Sequence, residues 1–250
     1  MFKHKITQQF NKAVNTYDAA CDLQLRVGTN LIERLRLHYP SSNLMLDLGC
    51  GSGLITEKLT EEIAFNHLYA VDMADQLLSL AKKRLAHRAV HFACRDFNTF
   101  SDKNNCFDLV FSNMALHWSP ALNNALANIY RQMDLNGWLA FSIPLSGTFS
   151  ELTEDSRNHF YTEQVMLSIL TQLGFICVEN WISVEKQQFP SWLTALKSIK
   201  QVGASHVQQR KWHSLSGNDF IKRLVSGPQI EPARLTYRIG YFIVRKNGQF

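Results

Sequence analysis

The sequence predicts an α/β fold with a parallel sheet, on three observations. From Leu44 to Val184 short apolar runs alternate with amphipathic helical stretches. The first run ends in a glycine-rich turn, Asp47-Leu48-Gly49-Cys50-Gly51-Ser52-Gly53, that opens a helix. The chain closes on RLTYRIGYFIVRK, Arg234 to Lys246, a partly alternating strand. Alternation of this kind places helices on both faces of a mostly parallel sheet.

The elements follow in order. Ile6, Phe10, Val14 and Tyr17 have roughly helical spacing, and Leu23, Val27, Leu31 and Leu35 form a clear helical stripe between Ala20 and His38. Pro40-Ser41-Ser42-Asn43 ends it. Strands are expected at Leu44–Leu48, His67–Val71, Val90–Cys94, Phe107–Ser112, Gly137–Ile143 and near Phe175–Val184. Helices are expected after the turn through Leu59, then at Asp75–His87, Ala121–Met133 and Thr162–Leu173. The alternation lapses over 189–228, a helical piece (PSWLTALKSIKQVGA) and a Gly/Ser-broken stretch. The chain thus reads as a single domain, 1–250. It comprises N-terminal helices (1–39), a cofactor-binding core (40–188), a helical lid insertion (189–228) and a final strand (229–250).

Hydrophobic residues at 46% and charged residues at 19% fit a globular chain with a full core and argue against disorder. The five cysteines are scattered and odd in number, without a C-x-x-C pair, so neither a disulfide framework nor a metal site is expected. No apolar run suggests a signal peptide or a membrane span, and a reducing cytoplasm is the expected setting. The net charge of +5 suits an acidic partner but does not choose among nucleic acid, membrane and protein.

Ligands of open α/β sheets bind at the carboxyl ends of the strands, where strand order reverses. Glycines at 49, 51 and 53 depart from the dinucleotide pattern G-x-G-x-x-G, since Leu occupies 54. Asp47 discriminates further. A carboxylate at the strand end repels a pyrophosphate and suits a ligand carrying an ammonium and a sulfonium, as S-adenosylmethionine does. The helix N-terminus after the turn offers free N–H groups to an anionic group. Asp72 ends the second strand, where an acid is placed to accept both ribose hydroxyls. Asp96 and Phe97 follow the third strand, an acceptor for the adenine amino group and a ring to stack on it.

These blocks resemble class I S-adenosylmethionine methyltransferases over residues 40–145. The resemblance implies a Rossmann-like, seven-stranded, mostly parallel sheet whose last strand is antiparallel. It implies S-adenosyl-L-methionine as methyl donor, with S-adenosyl-L-homocysteine as product. The cofactor-binding set it implies is Asp47, Gly49, Cys50, Gly51, Gly53, Asp72, Met73, Asp96, Phe97 and Asn113. The end of the fourth strand, Ser112 to Trp118, would face the methyl group. It lacks the N/D-P-P-Y/F turn of adenine-methylating enzymes, which disfavours DNA or RNA adenine methylation, and no nucleic-acid or membrane partner is expected.

The resemblance extends further, to the malonyl-acyl-carrier-protein O-methyltransferases of biotin synthesis. The matching pieces are FNKAVNTYDAACDLQ, LDLGCGSG, SNMALHW, SGTFSEL, LKSIKQVGA and LTYRIGYFIVRK. His117 departs from the family's usual Gln and Leu78 from its common Met. The implied reaction is methylation of the free carboxylate of a malonyl thioester on acyl-carrier protein, the ester that starts pimeloyl synthesis. With a pKa near ~4 that carboxylate is already ionised at neutral pH, so no obligatory acid–base residue is expected. Tyr17, His117 and Trp118 are candidates to line the substrate site, with packing as the other role open to each. Lys197, Lys200, Arg210 and Lys211 are candidates for contact with an acidic carrier protein, a solvated helix face being the alternative. Three further readings stay open: O- or C-methylation of another small molecule, RNA methylation, which the basic charge supports and residues 112–118 do not, and cofactor binding without catalysis.

Overall fold

The computed structural model describes residues 7, 8, 10, 11, 14, 16–102, 106–154, 160–201 and 232–248, the last three residues of 160–201 by backbone alone. A short helix α1 (Tyr17–Ala20) leads into α2 (Asp22–His38). Then β1 (Ser41–Leu48), α3 (Leu54–Glu62), β2 (Ala64–Asp72), α4 (Asp75–Arg84) and β3 (Val90–Cys94) alternate. They are followed by β4 (Phe107–Asn113), α5 (Leu122–Gln132), β5 (Met133–Pro144), α6 (Glu163–Gln172), β6 (Phe175–Phe189), α7 (Trp192–Gln201) and β7 (Ala233–Lys246).

The strands form a seven-stranded sheet in the order β3-β2-β1-β4-β5-β7-β6. β1 pairs in parallel with β2 and β4, β2 with β3, and β4 with β5, while β7 runs antiparallel to both β5 and β6. The chain steps outward from β1 to β3 and returns on the other side of β1 as β4. Strand order therefore reverses at the carboxyl ends of β1 and β4, and that is where the crevice opens.

Alternation along each strand sorts the core into two layers. Met45, Leu109, Phe111, Tyr241 and Ile243 face one side, packed against Leu23, Val27, Leu31, Ile32 and Leu35 of α2, Leu59 of α3 and Trp192 and Ala195 of α7. Leu46, Val110, Leu139, Phe141, Phe242 and Val244 face the other, against Leu122, Leu126 and Ile129 of α5 and Met166 and Leu170 of α6. The stripe read from the sequence is thus the buried face of α2. Each of its fully buried leucines contributes about 1.5–3 kcal/mol by leaving water.

β6 is longer than its sequence pattern suggested. It continues to Phe189 because β7 pairs along its whole length, down to Phe189 opposite Ala233. The insertion between them therefore leaves and re-enters the sheet at one place. Only α7 of it falls among the described residues, so Arg210 and Lys211 lie outside them. Lys197 is exposed on α7, and the side chain of Lys200 is likewise outside the described set. No described helix is long and apolar enough to cross a membrane. Among the described residues no His/Cys/Asp/Glu cluster could hold a metal ion.

Candidate active site

At the end of β1 the chain turns through three glycines of positive φ, Gly49 (+78°), Gly51 (+56°) and Gly53 (+78°). The N–H groups of Gly49 and Cys50 donate to the Val71 carbonyl at 2.8 and 3.2 Å, which folds the turn over the end of β2. A Cβ on Gly49 would stand 2.3 Å from the Ala115 Cβ, so this position requires glycine for space as well as for φ. Gly53 is the N-cap of α3 and supplies no side-chain acceptor, which leaves the first N–H groups of that helix open.

Asp47 is buried, and its Oδ2 accepts the Thr56 hydroxyl at 2.6 Å. Burial pushes its carboxyl up to about 7; the Thr56 hydrogen bond pulls it down and Asp72 pushes it further up. Asp72 accepts the Gly51 N–H on Oδ2 and the Ala74 N–H on Oδ1, both at 2.8 Å. Each oxygen thus already holds a backbone donor. Burial raises the Asp72 carboxyl above its ordinary value, and the N–H groups of Ala74, Gly51 and Met73 pull it back.

A single cleft gathers these groups. Tyr17, Asp47, Gly49, Cys50, Gly51, Asp72, Met73, Phe97, Asn113, His117 and Trp118 all line it, as the sequence reading placed them. The cleft is open to solvent and runs from the turn after β1 to Thr148 and Phe149 after β5 and Tyr237 in β7. Three residues sit differently from expectation. Gly53 is not on the cleft wall; it faces α4, where a Cβ would stand 2.9 Å from the Ala81 Cβ. Asp96 is not on the cleft wall; its Oδ1 accepts the Asn98 N–H and side-chain amide at 2.9 and 2.6 Å, and only its neighbour Phe97 reaches the ligand space. Asn113 lines the cleft, but both ends of its amide are engaged: Nδ2 donates to the Gln24 carbonyl at 2.9 Å, and Oδ1 accepts the Ser142 hydroxyl at 2.8 Å. Its side chain braces β4 against α2 and β5.

The N-terminal segment closes one side. Phe10 stacks edge-on to both Tyr17 and Trp118, with centroids 6.2 and 5.8 Å apart. Asp18 accepts from the Ser52 hydroxyl and pairs with Arg84 of α4, which also reaches the Ser52 carbonyl. Asn11 donates to Asp75 at 2.6 Å. The turn is therefore clamped by residues far apart in sequence, and nothing local announces the pairing of Asp18 with Arg84.

The far end was not found in the sequence. It is lined by Thr148, Phe149, Phe160, Gln187, Ser198 and Tyr237. Tyr237 bonds with Ser198 and stacks on Phe149 with centroids 4.9 Å apart. One signal was present: Tyr237 interrupts the inward-facing series Leu235, Ile239, Tyr241 and Ile243 with a hydroxyl that needs a partner. No Lys or Arg among the described residues lines the cleft, and two carboxylates do. Acids, tight glycines and aromatic faces suit a ligand that carries positive charge.

Comparisons with known proteins agree. A methyltransferase-domain family model matches residues 46–141. Malonyl-(acyl-carrier protein) O-methyltransferase 2 of Coxiella burnetii is 33% identical over 98% of this chain and 96% of its own. The chain belongs to the malonyl-(acyl-carrier protein) O-methyltransferase family. Two further members are each 27% identical: that of Serratia marcescens over 97% of this chain and 95% of its own, and that of Priestia megaterium over 84% of each. Among solved structures, the N-methyltransferase NodS of Bradyrhizobium japonicum with S-adenosyl-L-homocysteine has a TM-score of 0.53 at 17% identity, covering 93% of this chain and 98% of its own. The cyclase SpnF scores 0.58 at 14% identity, covering 88% and 80%. A methyltransferase and a cyclase share this architecture, so the fold does not name the reaction and the methyltransferase family's chemistry must be sought in the site.

Proposed function

We propose that this protein methylates the free carboxylate of a malonyl thioester carried by acyl-carrier protein. The carrying observation is the cleft itself: acids and aromatic faces at one end, a hydroxyl-bearing end at the other, without a cation among the described residues, in a chain alike to malonyl-(acyl-carrier protein) O-methyltransferases over nearly its whole length. The resulting methyl ester would enter pimeloyl and biotin synthesis, with the cytoplasm as setting.

S-adenosylmethionine, when bound, supplies a methyl group on a sulfonium; a lone pair of the acceptor carboxylate forms the C–O bond while the C–S pair stays on sulfur. No proton moves, so no side chain need act as acid or base. The chain's work is to bind, orient and exclude water. Asp72 would hold the ribose hydroxyls, Met73 and Phe97 would flank the adenine, and Gly49 and Gly51 would let the backbone approach, while Gly53 lets α3 pack closely on α4. The open N-terminus of α3 receives the methionine carboxylate. Asp47 presents a carboxylate to the positive charge. Phe10, Tyr17 and Trp118 close over the reacting atoms, and their faces favour a sulfonium. Holding two reactants in line is worth about 7–11 kcal/mol in well-oriented systems. Charge is neutralised as the bond forms, which a dry cleft favours.

The burial of Asp47 makes cofactor binding pH-dependent. Its carboxyl titrates at about 7 in the ligand-free fold, above the unfolded value, so the fold holds an extra proton between the two and loses stability as pH rises through that window. A cationic ligand favours the ionised form and expels the proton. Apparent affinity for S-adenosylmethionine is therefore expected to fall about tenfold per pH unit below that value. Calorimetric titration in buffers of different ionisation enthalpy reads both the affinity and the released proton; a flat profile from pH 5 to 7 removes Asp47 from this role.

Exposed Lys197 on α7, with Lys200, Arg210 and Lys211, is proposed to receive an acidic carrier protein. The test uses labelled S-adenosylmethionine with malonyl-carrier protein, acetyl-carrier protein and malonyl-pantetheine. Methyl ester is expected from both malonyl compounds and none from the acetyl one. Lys197→Glu with Lys200→Glu is expected to lower turnover of the carrier-bound substrate about tenfold at low salt and spare malonyl-pantetheine. Absence of ester from malonyl-carrier protein overturns the function; equal loss on both malonyl substrates overturns the platform.

A further inference from the structure

The cleft has to hold an anionic acceptor, yet no Lys or Arg among the described residues lines it. Two side chains on its wall carry a buried polar atom without a partner, Gln24 at Oε1 and His117 at Nδ1, and Oε1, an acceptor, has no proton to offer an anion. His117 sits in the 3₁₀ turn Leu116–Trp118 at the end of β4, and its Nδ1 is buried with no hydrogen bond. The turn is firmly placed. Leu116 is fully buried, the Trp118 N–H donates to the Ala115 carbonyl at 3.0 Å, and the Met114 N–H donates to the Ser142 carbonyl at 3.0 Å. The imidazole lies beside Trp118 and edge-on to Phe160, with centroids 4.8 and 6.2 Å away.

We infer that His117 orients the acceptor carboxylate, donating a hydrogen bond from Nε2 as a neutral imidazole. The inference rests on the carboxyl-methylation reading above and adds the residue that recognises the carboxylate.

The argument runs through the ring's two nitrogens. A neutral imidazole has one N–H and one bare nitrogen. A buried N–H without a partner is costlier and rarer than a bare acceptor in the same place. Sealed Nδ1 is therefore taken as the bare nitrogen, which puts the proton on Nε2 of a residue that lines the cleft. Burial among aromatic rings keeps the ring neutral, lowering its pKa to about 3. A neutral donor has a chemical advantage here. A guanidinium would bind the carboxylate more tightly but draw electron density from the attacking oxygen. The hydrogen bond of an imidazole fixes the anion's direction and leaves the sulfonium as its positive counterpart. Glutamine is also an uncharged donor of similar reach.

The test compares wild type with His117→Phe and His117→Gln, using malonyl-pantetheine as acceptor and S-adenosyl-L-homocysteine as binding probe. Phe preserves the ring stacking and removes the donor; Gln restores it. His117→Phe is expected to lose about 10- to 100-fold in kcat/KM for malonyl-pantetheine, with affinity for S-adenosyl-L-homocysteine within twofold of wild type. His117→Gln is expected to regain most of the loss. Nitrogen-15 NMR of the wild-type imidazole is expected to show the Nε2–H tautomer, with that proton moving downfield when malonyl-pantetheine joins the S-adenosyl-L-homocysteine complex. Full activity of His117→Phe, or an Nε2–H blind to malonyl-pantetheine, overturns the inference while the function stands. If wild type forms no methyl ester, the function reading falls, and the response of Nε2–H to the carboxylate decides the inference alone.

Discussion

Replacing Asp72 by asparagine is expected to weaken S-adenosylmethionine binding about 100-fold. Hydrogen bonds to a charged acceptor contribute about 1.5–3 kcal/mol each, and two to the ribose add to about 3 or more. Each 1.4 kcal/mol is a factor of about ten, so the loss spans at least two decades. Asparagine cannot accept on both side-chain atoms. With Gly51 N–H on Oδ2 and Ala74 N–H on Oδ1, one of these backbone donors would meet an amide N–H₂ instead. The ligand-free fold should suffer less than the complex, because burial already disfavours the Asp72 carboxylate. Calorimetric binding together with thermal unfolding of the free protein separates the two. A loss of affinity under threefold would falsify the ribose assignment.

Gly49→Ala is expected to be the most damaging single methyl group in the turn. At φ +78° an L side chain is strained, and its Cβ would lie 2.3 Å from that of Ala115. Strain and overlap together cost about 2–4 kcal/mol. That corresponds to a fall in unfolding midpoint of about 5–15 °C for a chain of this size. Cofactor affinity should drop with it, since the hydrogen bond from Gly49 N–H to Val71 holds the turn in shape. Gly147→Ala provides the control. Its φ is +99°, but its Cβ would meet only the flexible Arg238 Cδ at 3.4 Å. It should show the strain without the overlap, and a midpoint shift at Gly49 no larger than at Gly147 would remove the close approach as the cause.

The alternation of short apolar runs with helical stripes was legible because each element answers to its own period. Asp47, Asp72 and the three glycines were legible because a strand end, a turn and a helix start are contiguous. Where a contact crosses the sheet, local pattern is silent. The clamp of Asp18 on Ser52 and Arg84 joins α1 to α4. The far end of the cleft joins Thr148 and Phe149 after β5 to Tyr237 in β7 and Ser198 in α7, and it exists because β7 runs antiparallel beside β5, with the Phe149 N–H donating to the Thr236 carbonyl at 2.7 Å. Asn113 and Asp96 show the opposite limit. Both stand at the strand ends where they were expected, but bonds to Gln24 and Ser142 engage the Asn113 amide, and bonds from Asn98 hold Asp96, which lies off the cleft wall.

The sequence alone determined the α/β class and the cofactor turn, because periodicity and glycine placement act over a few residues. The tertiary structure decided which distant side chains share the cleft and in what state. It left one nitrogen of His117 sealed and unpaired, set Asp47 in a buried site that raises its carboxyl, and put the hydroxyls of Thr148, Ser198 and Tyr237 at the far end. Those outcomes depend on desolvation and on strand register, and neither is a property of any one segment of chain.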